Sequence, residues 1–84
     1  MSEYRKYKGY YIGKGAFNNE DEIDAFLKEQ AIKGYKQAVW FFCKESTMEA
    51  SIYATEKAEY LHKQFGMSWS ELEAIEIEVM ENVA

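Results

Sequence analysis

Six consecutive residues, Ala38 to Cys43 (AVWFFC), place more demands on the fold than any other stretch of the chain. They stand at the end of a segment with helical periodicity, and at about 100° per residue they send apolar side chains in every direction. A helix that is hydrophobic all round has to be covered all round. Ala38, Phe41 and Phe42 continue the apolar stripe of the preceding turns. Val39, Trp40 and Cys43 face elsewhere, and need an N-terminal segment, a third element or a second molecule to cover them. In 84 residues covering surface is scarce, and oligomerisation is a common remedy.

The chain around this stretch reads as one domain, 1–84, in three parts: a basic extended arm or strand over 1–17, a helical hairpin over 18–66 and an acidic C-terminal element over 67–84. An apolar share of 48%, with 17% aromatic, is too high for a disordered chain. Tyr4, Tyr7, Tyr10, Tyr11 and Ile12 have strand-like composition, and Gly9, Gly13 and Gly15 bracket Tyr10 to Ile12 with turn residues. Asn18 or Asn19 then opens the first helix, because Asn caps well, Glu22 follows three residues after Asn19, and Glu20, Asp21, Glu22 and Asp24 put negative charge at the positive end of the helix dipole. Ile23, Leu27, Ala31, Gly34, Ala38 and Phe41 form its stripe, with Tyr35 and Phe42 at the edge. The small residues Ala31, Gly34 and Ala38 would let another helix approach closely.

Ser46-Thr-Met-Glu49 has the form of a capping box, so the first helix should end near Lys44 and a second begin at Thr47. Ala50, Ala54, Ala58, Leu61 and Phe65 make the second stripe, and Gly66 closes it as a C-terminal glycine. Two alanine-lined faces joined by a short turn point to an antiparallel helical hairpin. Ser68-Trp-Ser-Glu71 is another capping box, with Met67 placed to staple onto Leu72. Beyond it the pattern is ambiguous over 73–80. Glutamate favours a helix, yet Ile75, Ile77 and Val79 alternate with Glu76 and Glu78 as in a half-exposed strand. The expected class is therefore mainly α, a helical hairpin plus a shorter C-terminal helix and an N-terminal extended segment. The alternative is α+β, with the N- and C-terminal strands paired.

The second half of the chain, TMEASIYATEKAEYLHKQFG (47–66) followed by MSWSELEAIEIE (67–78), resembles short uncharacterised proteins of bacterial phages and mobile elements. The resemblance carries no functional residues and implies only a context. Small acidic proteins of such elements often act by binding and blocking a host protein, anti-CRISPR inhibitors among them.

Catalytic chemistry has little to draw on. Cys43 and His62 are each the only residue of their kind. Cys43 in an apolar segment reads as an inert thiol rather than a nucleophile, and a single cysteine makes no intrachain disulfide, which fits a reduced, cytoplasmic setting. No GxSxG turn is present, Gly13-Lys-Gly15 is too short for a phosphate loop, and no cofactor motif appears. Glu59-Tyr-Leu-His62 has the E-x-x-H spacing by which helical bundles hold metal pairs. A homodimer would be needed to supply two copies, and Glu59 lies about 100° from the centre of the apolar stripe, so a solvated pair fits the spacing too. The expected cofactor and metal sets are empty.

Fifteen acidic against ten basic residues give a net charge of −5, which disfavours nucleic-acid and anionic-membrane binding and allows a basic protein partner. No stretch approaches the roughly 18 apolar residues of a membrane span, and the first residues lack the apolar run of a signal peptide. The charge gathers in Glu71, Glu73, Glu76, Glu78 and Glu81, in a segment from Met67 to Ala84 without a basic residue. Such a run could imitate nucleic-acid phosphates and occupy a basic groove on a nucleic-acid-binding protein. Its ordinary alternative is a solvated face. Val39, Trp40, Tyr53 and Tyr60, with Phe26, lie off the hairpin seam and are candidates for a partner or oligomer interface. Tyr4, Arg5, Lys6, Tyr7, Lys8, Tyr10 and Tyr11 interleave aromatic and basic residues as a nucleic-acid stacking surface would, and equally as an arm packed on the acidic part of the domain. The function expected is that of a non-enzymatic binding protein: a homodimer, or an inhibitor of a larger basic partner. A metal-binding helical dimer and a nucleic-acid accessory protein using the Tyr/Lys arm are the alternatives.

Overall fold

A computed structural model describes residues 4–83, which form β1 (Tyr4–Tyr7), β2 (Tyr10–Gly13), α1 (Glu20–Glu45), α2 (Met48–Phe65) and α3 (Trp69–Val83). The outermost residues of the first and last sequence segments, 1–3 and 84, lie outside the described residues. The domain is mainly α, elongated at 47 × 23 × 20 Å. At about 1.5 Å per residue the 26 residues of α1 run most of that length, and α2 and α3 both pack on it.

The helix ends follow from local chemistry. Asn19 Oδ1 accepts from the Glu22 N–H at 2.9 Å, and Glu22 reaches back to the N–H of Asn18 at 3.0 Å, so both asparagines are used. At the α1–α2 junction the structure corrects the expected cap by one residue. Ser46 adopts a left-handed conformation at φ 50° and closes α1, its N–H donating to Phe42 O at 2.7 Å. Thr47, extended, then caps α2 by accepting from the Ala50 N–H at 3.1 Å. One residue cannot hold both conformations, so the two duties fall on neighbours. Gly66 ends α2 at φ 66° with its N–H on His62 O, and Ser68 Oγ accepts from the Glu71 N–H at 3.1 Å to open α3. Met67 and Leu72, the expected staple, are both buried in the main core.

The ambiguous stretch 73–80 is helix, so the paired-ends alternative does not hold. The strand-forming N terminus finds its partner within itself: β1 and β2 form an antiparallel hairpin in the register Tyr4↔Gly13 to Tyr7↔Tyr10. The turn between them, Lys8-Gly9, has positive φ at both positions (48° and 89°), as a two-residue turn matched to strand twist requires.

The core has two parts. Ala31, Tyr35, Val39, Leu61, Met67, Leu72 and Val79 join all three helices, and Ile12, Ile23 and Leu27 seat the β-hairpin against the start of α1. AVWFFC is divided differently from expectation. Val39, assigned off the seam, is only 4% exposed because α3 covers that flank. Phe41, assigned to the seam, is 48% exposed. Ala38 holds the seam as expected, whereas Phe42, also assigned to it, is 38% exposed, and Phe41 borders a shallow pocket with Ala50 and Tyr53 of α2. Gly34 also departs from expectation: a Cβ added there would meet nothing within 4 Å, so no helix approaches it closely.

Candidate partner-binding groove

Because α2 and α3 lie on α1 and do not pack along each other, an open groove of about 810 Å³ separates them. Its floor comes from Tyr35, Val39, Phe42 and Cys43 of α1, whose spacing keeps them on one flank. Ala54, Thr55, Ala58 and Glu59 form the α2 wall, and Trp69, Glu73, Glu76 and Met80 the α3 wall. Trp69 is 54% exposed and Met80 nearly as much, an unusual amount of large apolar surface for one flank of a short helix. The lining contains three carboxylates and no basic residue.

One bond ties floor to wall. The Tyr35 hydroxyl donates to Glu76 Oε2 at 3.4 Å. Burial, then the neighbouring Glu76 charge, pushes the Tyr35 hydroxyl from 10.0 up to about 12. Cys43, expected to be sealed in apolar surroundings, is instead half-buried and contributes to the groove floor.

The five C-terminal glutamates are all exposed, but α3 does not present them as one face. The buried stripe of Leu72 and Val79 separates them. Glu73 and Glu76 stand on the groove flank with Trp69 and Met80. Glu71 and Glu78 fall on the opposite flank by helical spacing, where Glu78 lies 4.0 Å from Lys36 of α1, and Glu81 falls on the outer face between the flanks. Of the four apolar interface candidates, Val39 and Tyr60 are covered within the chain. Tyr60 packs between Tyr10 and Phe65, and its hydroxyl donates to Lys8 O at 2.6 Å. Trp40 and Tyr53 remain about half exposed, as does Phe26. Trp40 has Lys44 over its ring, and Tyr53 lies beside Phe41 on the face of the helical pair away from the groove.

The basic arm packs on the acidic start of α1. Lys8 Nζ is 2.8 Å from Asp24 Oδ1, which also accepts from the Tyr7 hydroxyl at 2.9 Å, and Arg5 is 3.5 Å from Glu20. Hydrogen bonds from Lys8, then from Tyr7, hold the Asp24 carboxyl below its ordinary value. Lys8 Nζ also sits 4.5 Å from the Phe65 ring centroid. Two of the arm's cations are thus engaged by the domain's own carboxylates, which removes them from any phosphate-binding surface and leaves the α2–α3 side with its acidic balance.

His62 belongs to the corner between α2 and α3. Its ring stacks on Trp69, and its Nδ1 is 2.7 Å from Met67 O. A carbonyl only accepts, so Nδ1 carries the proton. Glu59 is exposed and lines the groove, whereas His62 does not. Among the described residues no group of three or more His, Cys, Asp or Glu is placed to hold a metal ion, and no helix is long and apolar enough to cross a membrane.

Sequence reasoning named Glu73, Glu76 and Glu59 for their charge or spacing but did not foresee the groove that brings them together with Trp69 and Met80. The signal was available in part: Trp69, Glu73, Glu76 and Met80 recur at helical spacing beside the Leu72–Val79 stripe. In comparisons with known proteins the chain matches no family model, no curated sequence and no solved structure.

Proposed function

We propose that the chain is a non-enzymatic binding protein that holds a basic segment of a protein partner in the groove between α2 and α3. The observation that carries this is the lining itself: exposed Trp69 and Met80 over an apolar floor, with Glu59, Glu73 and Glu76 and no cation among them. Apolar anchors supply affinity, and uncompensated carboxylates select a positively charged partner and speed its encounter. The net charge of −5 acts in the same direction. The resemblance of residues 47–78 to phage and mobile-element proteins extends the proposal to an inhibitor that disables a host protein by occupying a basic region of it. Simple imitation of a phosphate row draws less support, because α3 sends its glutamates to two flanks.

The test compares two double charge reversals of equal size. Glu59→Lys with Glu73→Lys alters the groove; Glu71→Lys with Glu81→Lys, the far-flank variant, alters the far flank and outer face of α3, outside the groove. Host proteins cross-linked to each variant are quantified by mass spectrometry. A basic protein captured by wild type and by the far-flank variant, and lost with the groove variant, is the expected result. Loss with the far-flank variant alone would move the binding surface away from the groove and contradict the proposal.

A further inference from the structure

We infer that the segment taken up by the groove is an amphipathic α-helix with basic edges, contributed by another protein. If the groove is the partner site proposed above, its walls decide the conformation of what it holds. Both walls and the floor are helices, whose interior backbone groups are already bonded within each helix. Among the described residues the only sheet is the hairpin, seated against the start of α1 and not part of the groove lining. An extended peptide would therefore bring N–H and C=O groups onto an apolar floor with no edge to pair with, and each unpaired group is costly. A helix satisfies its own backbone and needs only side-chain complementarity.

The dimensions agree. From Tyr35 to Cys43 the floor rises about 12 Å, and from Trp69 to Met80 the wall rises about 16 Å, the length of about three helical turns. A helix laid there packs on α1, α2 and α3 at once, in the position of a missing fourth helix of a bundle. Its apolar stripe meets Phe42, Trp69 and Met80, and its two edges face Glu59 on one wall and Glu73 on the other.

The same charges weigh against α3 of a second copy as occupant. α3 is the short helix available for exchange, and it would bring Glu73 and Glu76 against their own counterparts. Of the chain's ten basic residues, Arg5, Lys8, Lys33 and Lys36 already lie within 4.0 Å of its own carboxylates. Anionic lipid and nucleic acid meet three carboxylates and no cation.

The probe is a synthetic peptide of about fourteen residues with leucines at i, i+4, i+7 and i+11 and lysines along both edges. Two relatives serve as controls: one with a central polar residue replaced by proline, one with every lysine replaced by glutamate. Labelled peptides are titrated with the full chain by fluorescence anisotropy, alongside Thr55→Trp, which fills the groove from an exposed wall position, and sedimentation reports self-association. The lysine helix is expected to bind at least about tenfold more tightly than either control and to lose that margin against Thr55→Trp, checked as folded by circular dichroism. Equal binding of the proline peptide, still abolished by Thr55→Trp, would overturn the helical occupant and leave the groove as a site for a basic chain. Failure of every peptide, or binding untouched by Thr55→Trp, would overturn both. Dimers of the wild type that Thr55→Trp dissolves would show the groove to be filled by a second copy, contrary to the inference.

Discussion

The His62 imidazole lies flat against the Trp69 indole, ring centroids 4.2 Å apart at an interplanar angle of 20°, while its Nδ1–H holds the carbonyl of Met67. These contacts bridge the last turn of α2 and the first of α3, and so set the angle at which the groove opens. A histidine whose E-x-x-H spacing points to metal serves as the brace of a corner. Removing it in His62→Ala should cost about 1–2 kcal/mol through the lost bond and stack. Denaturant titration followed by tryptophan fluorescence measures this, and an unchanged midpoint with unchanged Trp69 emission would show that the corner holds without it.

Gly34 sits within α1 with open space where a side chain would be. Gly34→Ala should therefore raise stability by about 0.5–1 kcal/mol, by removing the conformational cost of a mid-helix glycine without meeting a neighbour. A higher melting temperature by calorimetry checks it. A lower one would mean that close packing at this turn was missed.

The β-hairpin is fastened at Asp24, which receives both Lys8 and Tyr7. Asp24→Ala should speed amide exchange across residues 4–13 while leaving the α2 and α3 amides unaffected. The same fastening should loosen in acid. A carboxyl whose folded pKa is depressed contributes above its ordinary value and loses that contribution as pH falls through the depressed one. Hairpin exchange, corrected for the intrinsic rate, should rise below about pH 4 in the wild type and rise less steeply in Asp24→Ala, where the exposed Arg5–Glu20 contact remains to titrate.

Tyr35 gives the opposite sign. Its hydroxyl, raised to about 12, favours the folded chain at all pH values below 10.0, and this contribution disappears as pH rises from 10.0 toward about 12. The wild type should lose denaturant resistance as pH rises from 10.0 toward about 12, and Tyr35→Phe should lose measurably less over the same interval. Equal slopes would remove Tyr35 from the alkaline response.

The helices were legible because their ends are written in short-range chemistry: Asn19, Thr47, Gly66 and Ser68 each satisfy backbone groups within a turn of themselves. The hairpin was half legible. Its turn carries Lys8 where asparagine or aspartate before glycine is the usual signal, and Lys8 tolerates its positive φ in a setting that lies far off in sequence, with its carbonyl on Tyr60 and its ammonium on Asp24 and Phe65. The groove was legible only in the spacing of its α3 wall. Periodicity places Leu72 and Val79 on a buried face but does not say that α3 seats on α1 alone, and that choice covers Val39, leaves Trp69 and Met80 bare, and parts Glu73 from Glu71.

The most direct test of the groove as the partner site is a map of amide chemical-shift changes when the lysine-edged helical peptide is added to the isotopically labelled chain. Changes concentrated at Val39, Cys43, Thr55, Glu73 and Met80, saturating together, are what the groove predicts. Changes confined to Glu71, Glu78 and Glu81, or to Phe41 and Tyr53 on the opposite face of the helical pair, would contradict it.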